Sequence, residues 1–188
     1  TFVKEDNALL RYMDRQYVVT LKGVSNSFFK TSEIKDKLLE GDAILESGDV
    51  NFMIPGAQIA YSMGIRPNDL LNQVNIFMPQ RGIDPGVVML DPSDAFIQRT
   101  MVASGIFSVQ QDFDAKYVLV PLRFMYDLSG NNKQISAFEI KLKNDDDSEK
   151  VMAQLQSLLG KDFTVKDRLM QHDFLFKVIG AEKVAVYI

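Results

Sequence analysis

The chain has 188 residues, 46% of them apolar and 24% charged, a balance typical of a globular domain that excludes a disordered or collagen-like chain. Its net charge of -4 provides no basic field for binding nucleic acid phosphates or an anionic lipid surface, so we expect no nucleic acid partner. It has no cysteine, which excludes disulfides, thiolate nucleophiles and cysteine-ligated metals.

Two apolar runs open the sequence, at 8–12 and 17–24, and the second alternates between apolar and polar positions. This alternation is typical of a half-buried strand, so the two runs predict a β-hairpin. A polar stretch carrying Ile34, Leu38 and Leu39 follows, and we predict a short helix there that ends at Gly41.

The next segment predicts a strand, a helix and a second strand. Residues 51–54 form an apolar run before Pro55, and 74–78 form another before Pro79. Between them the spacing of Ile59, Ala60 and Met63 lines one face of a two-turn helix, which Gly64 closes by adopting a left-handed conformation.

The connection at 80–95 contains two glycines and two prolines, which do not fit inside a central strand. We therefore predict a long projecting loop or hairpin. It carries four consecutive apolar residues, which either contact a partner or fold back over the core. The candidate partner-binding residues are Pro85, Gly86, Val87, Val88, Met89 and Leu90.

The second half predicts strands at 96–107, 116–120 and 135–142 and a short helix at 123–128. Apolar residues at helical spacing then predict a helix over 151–159, with acidic residues at its N-terminal end, followed by a short strand at 163–165. The last predicted helix starts at Arg168 and becomes more apolar toward Ile188, as a helix entering a membrane span does. We expect the chain to be a piece of a longer protein.

Catalytic and metal-binding patterns are weak in this sequence. His172 is the single histidine and no Gly-x-Ser-x-Gly motif accompanies it. The acidic run 145–147 lacks the alternating ligands of a calcium loop, and the glycines lack phosphate-binding spacing. We predict that the chain is not an enzyme and binds no cofactor. Its nine Met and thirteen Phe either fill the core or line an apolar groove.

Several short motifs occur in an order that resembles a known family. They are Arg11-Tyr12-Met13-Asp14-Arg15-Gln16-Tyr17 leading to Leu21-Lys22-Gly23-Val24, Leu39-Glu40-Gly41, Ile54-Pro55-Gly56-Ala57-Gln58-Ile59-Ala60 with Met63-Gly64-Ile65, the strand 74–79, Val102-Ala103-Ser104-Gly105-Ile106-Phe107, the piece from Asp114 to Pro121-Leu122, and Phe174-Leu175-Phe176 through Ala181-Glu182-Lys183. In this order they resemble the MacB-like periplasmic core domain of ABC transporter permeases, and most closely the lipoprotein-releasing (Lol) permeases.

The resemblance implies an α+β fold with two parts. A porter-like α/β subdomain would comprise 1–30 and 133–188, including the start of a membrane-entering helix. A mostly-β "sabre" subdomain at 31–132 would be inserted between them. Relatives in the lipoprotein-releasing branch carry a protruding hairpin that recruits a periplasmic carrier, and by position this corresponds to 80–95 here. The family's Pro-x-Gly-Arg pattern is replaced by Pro85-Gly86-Val87-Val88.

The resemblance also implies a location, partners and a function. The protein would lie in the bacterial inner membrane with this domain in the periplasm, and would help to release lipoproteins. Its partners would be a cytoplasmic ATPase subunit, a second permease subunit and a periplasmic lipoprotein carrier. Two alternatives remain open: a MacB-like or FtsX-like permease domain that transmits mechanical work for export or partner activation, and a free-standing periplasmic or cytosolic binding module.

Overall fold

The computed structural model describes residues 1–80, 95–130, 133–142 and 148–166. Contacts divide the chain into two units, Thr1–Ile140 and Lys141–Ile188. The predicted division, 1–30 with 133–188 against 31–132, has other boundaries and stays a prediction.

The first unit contains ten strands and four short helices in its described part. The strands are β1 (Phe2–Tyr12), β2 (Arg15–Val24), β3 (Leu38–Gly41), β4 (Glu46–Ser47), β5 (Val50–Pro55), β6 (Val74–Pro79), β7 (Phe96–Ala103), β8 (Gly105–Phe107), β9 (Tyr117–Pro121) and β10 (Ala137–Phe138). The helices are α1 (Phe28–Thr31), α2 (Ala57–Met63), α3 (Gln111–Asp114) and α4 (Leu122–Leu128), and a 3-10 turn spans Ile34–Lys37. The fold therefore combines strands and helices.

The strand pairings of the main sheet close into a ring. Its order is β1-β2-β9-β5-β7-β6, and β6 pairs back onto β1 through Leu10 and Ile76. The sheet is mixed, because β2 runs parallel to β9 and β5 runs parallel to β7, while the other pairs in the ring are antiparallel. The ring brings residues from distant parts of the sequence into one layer.

Two apolar clusters pack on opposite faces of this sheet. The larger contains the alternate residues Ala8, Leu10 and Tyr12 of β1 together with the buried faces of α2 and α4. The smaller contains Val24, Ile54 and Leu119, which pack with Phe28 of α1. Strand alternation explains this division, since successive side chains point to opposite faces.

Most predicted elements of the first half are confirmed. β1 and β2 form the predicted hairpin, with Tyr12 paired to Arg15 across a two-residue turn. β5, α2 and β6 follow in the predicted order, and Gly64 ends α2 with a φ of 74°. The strand β9 and the helix α4 are confirmed as well.

The predicted helix ending at Gly41 is wrong. Only a 3-10 turn forms at Ile34–Lys37, and the next four residues are β3, which pairs with β8. Gly41 has a positive φ of 72°, as expected of a helix end, but here it lets the strand pass close to the backbone of Gly105. A positive φ at glycine therefore does not by itself mark a helix end.

The single strand predicted at 96–107 is broken at Ser104 into β7 and β8. The backbone N–H of Ser104 donates to the Met53 carbonyl, and its hydroxyl donates to the Ile44 carbonyl. These bonds turn the chain out of the main sheet, so that β8 pairs with β3 instead.

The strand predicted at 135–142 is reduced to the two residues of β10. Its register places Ala137 opposite Val3 and Phe138 opposite Phe2, and the Glu139 N–H donates to the Thr1 carbonyl. Only these two residues pair as a strand, and Ile140 is exposed. The alternation at 135–142 therefore predicted a strand that is correct in kind and too long.

The second unit contains α5 (Ser148–Leu159), which confirms the helix predicted there. The strand predicted at 163–165 is wrong. The side-chain amide of Gln156 donates to the carbonyl of Phe163 and accepts from the N–H of Val165. A side chain therefore satisfies backbone groups that a strand would pair with another strand.

Candidate functional site

The predicted partner-binding residues Pro85, Gly86, Val87, Val88, Met89 and Leu90 lie outside the described residues, as do His172 and the acidic run 145–147. What the structure describes is the base from which the 80–95 connection starts. β6 and β7 pair up to Pro79 and Phe96, and the N–H of Gln80 donates to the carbonyl of Ala95 over 2.8 Å. The connection therefore joins two antiparallel neighbours, as a hairpin loop does.

A surface cavity of about 490 Å³ lies beside this base. It is bordered by Lys4, Glu5 and Asp6 of β1, by the end of β6 and by the end of α4. Lys4 is buried and its Nζ lies 5.5 Å from the ring centre of Tyr126, a cation–π distance. The cavity thus combines charged groups and apolar walls next to the start of the connection.

The opposite end of the ring carries the hairpin turn between β1 and β2. The turn consists of Met13 and Asp14, and Met13 has a positive φ of 53°. Tight hairpin turns require this conformation at their first residue and strongly favour glycine or asparagine there. A methionine in this place is strained, and its side chain is 64% exposed.

A second loop, between α2 and β6, lies against this turn. Its anchor is Asp69, whose Oδ2 accepts from the Tyr12 hydroxyl over 2.9 Å and from the side-chain amide of Asn72. Its Oδ1 accepts from the backbone N–H groups of Leu71 and Asn72. One hydrogen bond therefore joins the loop to the hairpin, and three others hold the loop in its own conformation. The loop presents Leu70 and Leu71, which are 71% and 94% exposed.

These hydrogen bonds shift two pKa values in opposite directions. The bonds from Asn72, with that from Tyr12, lower the pKa of Asp69. Burial, with the bond to the Asp69 carboxylate, raises the pKa of the Tyr12 hydroxyl. Both shifts favour an ionised Asp69 beside a neutral Tyr12 at neutral pH.

The loop is expected to loosen in acid. Because the folded state lowers the pKa of Asp69, its carboxylate stabilises the loop above the ordinary aspartate pKa. This stabilisation is lost as the pH falls through the lowered value. Amide exchange at Leu71 and Asn72, corrected for the intrinsic rate, should speed up in that range. The variant Asp69→Asn should exchange fast at every pH, and acid-independent protection in the parent chain would contradict the expectation.

We call Met13, Leu70 and Leu71 the apolar tip. The sequence-based predictions did not include the apolar tip, although two features of the sequence indicate it. Leu70 and Leu71 stand as an apolar pair between the polar residues Asp69 and Asn72, and Met13 occupies a hairpin turn. Only the structure shows that these two places adjoin, because Tyr12 and Asp69 are far apart in sequence.

Within the described ranges, no three His, Asp or Glu side chains are grouped so that they could hold a metal ion. The helices in those ranges also include none with the length and apolar character needed to cross a bilayer.

Among the comparisons with known proteins, the comparison with solved structures finds similar chains. No protein-family model matches the chain, and no curated protein matches it. A similar solved structure is described as "a domain of a putative Permease protein" from Porphyromonas gingivalis, with 14% identity and a TM-score of 0.42. The match covers 85% of this chain and 63% of that structure, so the chain spans less than two thirds of its neighbour's length. Similarity at this level does not establish a shared family.

Proposed function

We propose that the chain is the periplasmic domain of an inner-membrane ABC transporter permease that helps to release lipoproteins. The ordered series of motifs described above supports this proposal. The structural observation that carries it is the position of the two ends of the first unit, which lie side by side.

Strand β1 and residues 136–139, which we call the returning segment, are joined by hydrogen bonds. The amino group of Thr1 donates to the carbonyl of Glu139 over 2.7 Å, and the N–H of Ser136 donates to the carbonyl of Val3. The rings of Phe2 and Phe138 also pack, with their centres 5.0 Å apart. A unit whose chain enters and leaves at one point suits insertion between two other segments, such as two membrane spans.

A charged link reinforces the same junction. The Lys22 ammonium on β2 forms an ion pair with Glu139 of the returning segment and lies 3.7 Å from the carboxylate of Glu5 on β1. A movement of Thr1 or of the returning segment would therefore displace β1 and β2 together. This coupling suits a domain that is moved by membrane helices.

In the proposed mechanism, ATP hydrolysis takes place on a separate cytoplasmic subunit. Closure of that subunit tilts the membrane helices of a pair of permease subunits, and the paired chain ends carry the motion into the ring. Removing lipid chains from a bilayer costs about 0.8 kcal/mol for each CH2 group. Such a cost explains why the release of a lipoprotein needs both ATP and an apolar acceptor.

The decisive experiment is calorimetry between this domain and the periplasmic lipoprotein carrier of its own organism. We expect a dissociation constant in the micromolar range or tighter. A variant that lacks residues 85–92 should lose binding while its circular dichroism and melting temperature stay unchanged.

The variant Leu70→Ser/Leu71→Ser is the matched control, since it removes exposed apolar residues at the other end of the ring. It should bind the carrier normally. Absence of binding by the parent chain would contradict lipoprotein release. It would favour the MacB-like or FtsX-like alternative, because the paired chain ends support mechanical transmission without any contact with lipid.

A further inference from the structure

The apolar tip is built from two loops that the fold holds together at the end of the ring remote from Thr1. β1 is eleven residues long and runs from the paired chain ends to the hairpin turn. We propose that the apolar tip inserts into the surface of an anionic lipid bilayer. This inference does not depend on the permease function. In the arrangement proposed above, membrane spans would join the paired chain ends, so the apolar tip would face a bilayer other than the one that those spans cross.

The exposure of the leucines leaves their apolar surface available to a partner. Leu71 is 94% exposed, so its side chain contacts almost nothing in its own chain. Fluid acyl chains surround it completely, and burying a leucine in this way removes its whole apolar surface from water.

The conformation of Met13 points to a selected apolar side chain. Glycine at this turn position would avoid the strain of a positive φ, and asparagine would reduce it. The chain instead places a long, flexible apolar residue there and exposes most of it. Met13 is strained, and its exposed side chain gains little packing within the molecule in return. Such a residue indicates a role in contact with a partner.

The loop with the leucines is already held in one conformation. The four hydrogen bonds to Asp69 fix its backbone before any partner binds. A fixed loop loses little conformational entropy on insertion, so more of the gain from burying the leucines remains as affinity.

The charges around the apolar tip suit phosphate headgroups. The net charge of -4 predicts no general attraction to anionic lipid, but three arginines lie in these loops or next to them in sequence: Arg11, Arg15 and Arg66. All three are exposed, and no ion pair between described residues engages them. Arg15 donates to the Ser62 carbonyl and Arg11 lies over Phe77, which leaves further guanidinium N–H groups for phosphate.

The acidic groups nearby reduce this positive field only in part. Asp69 accepts four hydrogen bonds within the loop, and Asp14 is exposed in the turn. Arginine beside protruding leucines is the combination that interfacial binding to anionic lipid uses.

The test is co-sedimentation of the 188-residue chain with vesicles of phosphatidylcholine alone or with roughly 30 mol% phosphatidylglycerol. We expect binding to the anionic vesicles, weakened by salt because the headgroup attraction is screened. The variants Leu70→Ser and Leu71→Ser should each weaken binding about tenfold. The variant Met13→Gly should weaken it as well, while its melting temperature stays equal or rises.

The matched control is Leu158→Ser, which removes an exposed leucine from α5. It should leave vesicle binding unchanged. Unchanged binding by the tip variants would overturn the proposal whatever the control does, because the chain would then bind through another segment, and so would absence of binding by the parent chain. Concentration-dependent self-association that the tip variants abolish would overturn it too, because the occupant would then be a second copy.

Discussion

Replacing Gly56 with alanine is expected to lower the free energy of unfolding by about 3 kcal/mol. Gly56 precedes α2 and lies against the backbone of Asp114, where an added Cβ would come within 2.6 Å of the Asp114 Cα. The Asp114 backbone cannot easily move away from the added Cβ, because its side chain is held in place. The Asp114 carboxylate is buried and accepts from the Val109 N–H and the Ser108 hydroxyl.

Urea unfolding followed by circular dichroism measures this effect. Gly48→Asn is the matched control, because no atom lies within 4 Å of the position of its Cβ and asparagine tolerates the positive φ of 58° found there. The control should change stability by less than about 1 kcal/mol. Equal stabilities of Gly56→Ala and the parent chain would show that α2 and α3 are not packed this closely.

The second large effect is expected at Leu10 of β1, whose side chain is fully buried in the larger core cluster. The variant Leu10→Ala leaves a cavity in the larger core cluster and should cost about 3 kcal/mol. Thermal and urea unfolding should both shift, and the vesicle and carrier assays should be unaffected below the melting temperature.

Val18→Ala is the control for this prediction, because Val18 lies on the neighbouring strand with its side chain exposed. It should cost less than about 1 kcal/mol, mainly through β-propensity. If both variants were equally stable, the Leu10 side chain would not be buried in the larger core cluster as described.

Local patterns predicted most elements of the fold correctly because those elements are specified locally. The hairpin follows from alternation at 17–24, and α2 follows from Ile59, Ala60 and Met63 with Gly64 at its end. In each case the apolar period and the terminating residue lie within a few positions of each other.

The errors arose where a distant segment decides the outcome. Gly41 belongs to a strand because β8, more than sixty positions later, pairs with it. Residues 135–142 alternate well, but only Ala137 and Phe138 pair with β1. Apolar periodicity predicts that a segment is able to form a strand. It does not predict which other strand pairs with that segment.

The candidate sites illustrate the same difference. The apolar residues of the 80–95 connection stand together in the sequence and could be recognised there as a contact surface. The apolar tip combines residues 13, 70 and 71, and its two loops meet through a single hydrogen bond between Tyr12 and Asp69. A contact of this kind leaves no local signal in one sequence.

The ring of strands also sets the order in which the chain is able to fold. The hairpin contains only neighbouring residues and can form early, whereas its second strand pairs with β9, which places Thr20 next to Tyr117. Loop-closure entropy makes such distant parallel pairing slow. During synthesis the edge of β2 therefore stays unpaired until most of the first unit has been made. In that interval the nascent chain is most prone to aggregation.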